Sequence, residues 1–145
     1  MTLLEQLDSR FLHKLQARTE RIQETPSDWI ERYFYVPDPR DQRTGEFLPP
    51  GPLLLAEHQR RIINEALSKT EDGKYKYTTV IYSAPKKSGK SALASAVTLY
   101  MAYSRPYSYI YCLANDGKQS NDRIYEPIRR CLDLHRKLGG PFAKE

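Results

Sequence analysis

The stretch that most constrains the fold is residues 78–91, Thr-Thr-Val-Ile-Tyr-Ser-Ala-Pro-Lys-Lys-Ser-Gly-Lys-Ser. A β-branched run ends in a short polar turn, and Gly89-Lys90-Ser91 opens a helical pattern over residues 92–103. Strand, turn and helix in that order are the setting a phosphate-binding loop requires. Backbone N–H groups of such a turn converge on an anion, and the helix N-terminus adds partial positive charge. In this arrangement Lys90 reaches the outer phosphates of a nucleotide and the Ser91 hydroxyl ligates magnesium. The full pattern carries glycine five residues before Gly89, where this chain has Ala84.

The rest of the chain supplies elements to surround that loop. Leu4, Leu7, Phe11, Leu12 and Leu15 recur at helical spacing with charges between them, which predicts an amphipathic helix over residues 3–22 that packs on the body or on another subunit. Thr25-Pro26-Ser27-Asp28 reads as a helix start, with a capping hydroxyl, Pro at the first helical position and an early acid. The aromatic run that follows, from Trp29 to Val36, is assigned to packing rather than to a ligand platform. Residues 36–53 hold five prolines and two glycines, too many breakers for a regular element. A helix is expected over roughly residues 56–68. Two strands are expected at 77–83 and 107–114, joined through the helix after the loop as a right-handed parallel crossover. A last helix from about Lys118 turns Ile124, Ile128, Cys131, Leu132 and Leu138 inward, with a kink or break at Pro127.

Charge and cysteine usage narrow the class. Through Ser83 there are 12 basic and 13 acidic residues, and from Ala84 onward 11 and 5, so the net +5 resides in the half bearing the loop. That excess suits polyphosphate or nucleic acid, and equally a solvated helix face. Cys112 and Cys131 lack metal-ligand spacing and are expected to be buried or neutral thiols. No apolar run is long enough to span a bilayer and the N-terminus lacks signal-peptide character, so an intracellular, soluble chain is expected.

Taken in order, Trp29, the Tyr33-Phe34-Tyr35-Val36-Pro37 run, Gly45-Glu46-Phe47-Leu48, His58-Gln59, the loop from Ser83 to Ser91, and Tyr111-Cys112-Leu113-Ala114-Asn115-Asp116 resemble the start of the tailed-phage terminase large subunit. The resemblance runs from about Trp29 to Leu138. Members of that family are ATP-driven motors that package double-stranded DNA, with an N-terminal ATPase domain and a metal-dependent nuclease domain. Many lack the first loop glycine, which accounts for Ala84. The resemblance implies an α/β fold: a P-loop NTPase-type parallel sheet with flanking helices, incomplete here and preceded by a helical N-terminal segment. It divides the chain into residues 1–53, helical segment and Pro-rich loop, and 54–145, partial ATPase domain.

By the same resemblance Ala84, Pro85, Lys86, Lys87, Ser88, Gly89, Lys90 and Ser91 cradle ATP, with Ser91 on Mg²⁺ and Gln59 reading adenine. Lys86 or Lys87 lies where relatives carry an arginine acting in cis on the γ-phosphate. Asn115, Asp116 and Gln119 match a coupling or DNA-facing loop. Implied partners are double-stranded DNA, the terminase small subunit and the portal, in a ring oligomer in the cytoplasm of an infected bacterial host. No later strand ends in Asp-Glu and no acidic nuclease cluster occurs, so this stretch alone is expected to bind nucleotide weakly without turnover. Two other readings remain open: a non-catalytic nucleotide- or nucleic-acid-binding module, and another P-loop helicase-like ATPase.

Overall fold

The computed structural model describes residues 24–105 and 107–143. The amphipathic pattern of residues 3–22 lies outside them. Thr25 is the N-cap of α1 (Pro26–Tyr33): its hydroxyl accepts from the Asp28 N–H, and Pro26 occupies the first turn, where a missing N–H costs nothing. That hydroxyl is also the main reason the Asp28 carboxyl titrates below its usual range, with Arg60 adding to the effect.

Residues 36–53 do form a regular element, contrary to the expectation. Two short strands, β1 (Tyr35–Val36) and β2 (Gly51–Pro52), pair antiparallel with Tyr35 opposite Pro52. An isolated bridge joins Arg40 and Phe47. The turn between them is made by Asp41, whose carboxylate accepts from the N–H groups of Arg43 (2.7 Å) and Thr44 (3.0 Å). Gly45 takes the left-handed conformation that the turn needs (φ 76°). Two-residue strands fall below what a periodicity reading resolves, and Pro52 is tolerated because the ribbon has free edges.

Helix α2 (Glu57–Ala66) is shorter at both ends than the sequence pattern suggested, and α3 (Lys90–Ser104) is longer. Beyond it come a single turn, α4 (Gly117–Ser120), a π-helical turn over Asn121–Tyr125, and α5 (Glu126–Leu138), ended by Gly139 at φ 67°. The break expected at Pro127 takes the form of this π turn. Proline has no N–H to offer the Arg123 carbonyl four residues back, and the buried Ser95 hydroxyl of α3 reaches that carbonyl instead, at 3.0 Å.

The core gathers α1, α2, α3 and α5. Trp29, Ile30 and Phe34 are fully buried, as the packing assignment of the aromatic run requires. Trp29 meets Tyr33 at 5.1 Å and Tyr100 edge-on at 5.3 Å between ring centres. Ser27 and Asn64 clamp α1 to α2 through two hydrogen bonds of 2.9 and 3.0 Å, and Arg60 reinforces them by pairing with Asp28 and Glu31. Leu138, expected inward, is exposed, because it closes the last turn beside Gly139.

The two expected strands differ most. Residues 77–83 and 107–114 have no strand pairing among the described residues, whose one sheet is the β1–β2 ribbon. Ile81 is 90% exposed, and Tyr107 and Leu113 exceed that. A strand apolar on both faces takes its stability from neighbours on either side and covers above and below. Of the two cysteines expected to be buried or neutral, Cys112 is exposed, whereas Cys131 is buried and its thiol is pushed up to about 11 by that burial.

Candidate functional site

The loop between residues 84 and 91 is a tight turn that feeds α3. Ser88 N–H donates to the Pro85 carbonyl at 3.3 Å, and Leu93 N–H to the Gly89 carbonyl at 2.9 Å. Gly89 is the N-cap, in left-handed conformation with φ 79° and ψ 13°. A Cβ added there would meet only the Gln59 amide nitrogen, at 3.8 Å, so glycine is required by conformation rather than by crowding. Lys87 shares the left-handed region at φ 67°, a conformation costing an L-residue about 1–2 kcal/mol. Two such residues straddle Ser88 and turn the chain sharply into the start of α3.

The side chains converge in part. Lys90 Nζ donates to the carbonyls of Ala84 and Pro85, the latter at 2.6 Å, tying the helix start to the beginning of the loop. The Ser88 hydroxyl is buried without a hydrogen-bond partner, a cost of about 1–3 kcal/mol unless another group satisfies it. Ser91 is exposed at the first turn of α3. Lys86 and Lys87 are exposed and make no ion pair among the described residues.

Gln59 is brought to the loop from α2. Its Oε1 accepts from the Ala56 N–H at 2.9 Å and its Nε2 donates to the Ser88 carbonyl at 3.3 Å. One N–H and one lone pair of the amide remain for a base edge. Asn115, Asp116 and Gln119 lie at the start of α4. The Asp116 carboxylate caps α4 by accepting from the Gln119 N–H at 2.7 Å.

The donor set suits a nucleotide phosphate chain: a lysine, a serine hydroxyl at the helix start and a buried unpartnered hydroxyl, beside the α3 N-terminus. ATP and Mg²⁺ fit these residues chemically, Ser91 supplying one oxygen ligand. No group of three His, Cys, Asp or Glu side chains poised for a metal occurs among the described residues. Sequence reasoning did not find the Lys87 backbone or the Ser88 orphan. Neither carries a signal in residue type, since both follow from how the turn closes. No protein-family profile, curated protein or solved structure matches the chain.

Proposed function

We propose that residues 84–91 form an ATP-Mg²⁺ binding loop, and that the chain is the N-terminal part of a DNA-packaging motor ATPase of the terminase large-subunit type. The observation that carries the reading is the left-handed Gly89 leading directly into the α3 N-terminus, with Lys90 folded across the loop and the Ser88 hydroxyl buried without a partner. Such a loop binds by backbone N–H groups and a helix dipole, and lysine adds a point charge.

In this reading Lys90 neutralises the β- and γ-phosphates, Ser91 holds Mg²⁺ and Gln59 contacts the base. Lys86 or Lys87 stands nearest the γ-phosphate, where a cation stabilises charge developing during phosphoryl transfer. Residues 77–83 and 107–114 are proposed as neighbouring parallel strands of the larger sheet, with the ligand at their C-terminal ends. Double-stranded DNA, the small subunit and the portal are the proposed partners in a ring within the host cytoplasm. The excess of basic residues from Ala84 onward agrees with a polyanionic partner.

Thermal melting tests the loop directly. ATP with Mg²⁺ at a hundredfold its Kd should stabilise the chain by about 2.7 kcal/mol, and ATP with chelator by less. Lys90→Ala should lose the shift, read against its own unliganded melting temperature, which the loss of its bonds to Ala84 and Pro85 lowers. An equal shift in both proteins removes the phosphate-loop assignment.

A further inference from the structure

Residues 77–82 separate two adjoining clefts. Thr78 and Tyr82 line one of ≈ 640 Å³ that reaches across to Leu93 and Val97 of α3. Thr79 and Ile81 line the other, of ≈ 560 Å³, and Val80 borders both. Ile62 and Ala66 of α2 wall the two. Successive side chains thus fall to opposite sides, the alternation of an extended strand. Residues 77–83 nevertheless make no backbone–backbone hydrogen bond among the described residues. A strand added to such an edge gains affinity from main-chain hydrogen bonds and selectivity from pockets for its alternate side chains.

The same chain carries a segment suited to that edge. Residues 107–114 also make no backbone–backbone hydrogen bond among the described residues. Neither they nor residues 77–83 hold a charged side chain, so pairing the two segments takes no ion out of water. Their extended lengths match, about 26 and 23 Å. We infer that residues 107–114 of one copy add as a strand to residues 77–83 of a second copy, and that the exchange is reciprocal, giving a closed two-fold dimer. Area decides for reciprocity. Tyr107, Tyr109, Tyr111 and Leu113 are each more than four-fifths exposed, and at about 150 Å² apiece they offer roughly 600 Å². Counting the surface they cover, one contact removes about 1,200 Å², the lower bound for a stable interface, and two remove about 2,400 Å². In the larger sheet proposed above these segments are neighbours within one chain; here the same pairing is made between copies, as in a domain swap. The dimer does not rest on the nucleotide loop, and its test contains no nucleotide.

The test uses the full chain. Sedimentation should reach a plateau at twice the chain mass as concentration rises. Ile81→Lys should weaken the dimer by about tenfold or more, because it sets a charge on the edge to be paired. Ile81 is 90% exposed, so the variant should keep the parent's helical circular dichroism. The contact itself is read by mixing two chains that both carry Cys112→Ser, one with Val80→Cys and the other with Ile110→Cys, in oxidised glutathione. Both positions lie near the middle of their segments and meet whether the strands run parallel or antiparallel. The mixed disulfide should form about tenfold faster than either chain's disulfide with itself, since only the mixed pair comes within disulfide reach. A monomer at every concentration, growth beyond two chains, a dimer untouched by Ile81→Lys, or like-with-like disulfides that keep pace overturns the inference.

Discussion

His135 is fully buried in α5, stacked on Tyr35 with ring centres 3.9 Å apart and tilted against Phe142. Its Nε2–H donates to the Tyr33 carbonyl at 2.7 Å, while Nδ1 is buried without a partner. Burial lowers the imidazole pKa below 6.5, and the Tyr33 carbonyl opposes that only in part. The folded state therefore holds His135 neutral where the unfolded chain begins to take up a proton. Above the unfolded pKa of about 6.5 both states are neutral and nothing is lost. As pH falls below that value the unfolded chain gains the proton and stability declines, levelling off once pH passes the depressed folded value. Urea titrations at pH 7.5 and 5.0 should show this loss, and His135→Gln should flatten it. A slope in the variant equal to that of the parent would place the effect on other groups. Asp28 and Asp41, with carboxyls depressed by hydrogen bonds from their neighbours, act at lower pH.

At the scale of elements, the π turn is held from outside. Ser95 sits on α3 with its hydroxyl 2.9 Å from the Ser91 carbonyl and 3.0 Å from that of Arg123. Ser95→Ala should cost about 1–3 kcal/mol, because the Arg123 carbonyl then has neither a proline N–H nor a hydroxyl to bond. Denaturant midpoints would measure it, and a change under about 0.5 kcal/mol would mean that water replaces the hydroxyl. The helices themselves were legible in the sequence. Thr25 with Pro26 announced α1, and the apolar spacing announced α2, α3 and the last helix, since local caps and amphipathic faces act within a few residues. The turn-forming glycine of the candidate site was legible for the same reason. Hidden were the β1–β2 ribbon, the shift at Asn121–Tyr125 and the exposure of residues 107–114. Each depends on partners far along the chain or on none, and residue type carries no record of that. Gln59 is intermediate: its place beside Ser88 follows from the tertiary approach of α2 to the loop, which only the family resemblance suggested.

For the molecule as a whole, residues 107–114 are decisive. They carry no charge, and all of them are exposed, Tyr107, Tyr109, Tyr111 and Leu113 most of all. An uncharged, aromatic, unpaired β-length segment is a template for edge-to-edge association. Sedimentation should detect self-association that rises with concentration, and Tyr109→Lys should suppress it through charge repulsion. Association unaffected by that change would assign it to another surface. The far ends of the described chain also meet. The Tyr33 carbonyl accepts from both the Cys131 thiol and His135, and the Tyr35 N–H donates to the Cys131 sulfur at 3.1 Å. These bonds join residues 96, 98 and 102 positions apart, and closing a loop of that length costs about 4 kcal/mol in entropy. During synthesis, then, Trp29 and its neighbours have no α5 to lean on until Cys131 and His135 leave the ribosome. Until α5 has been made, the aromatic cluster around Trp29 stays open to proteases and chaperones.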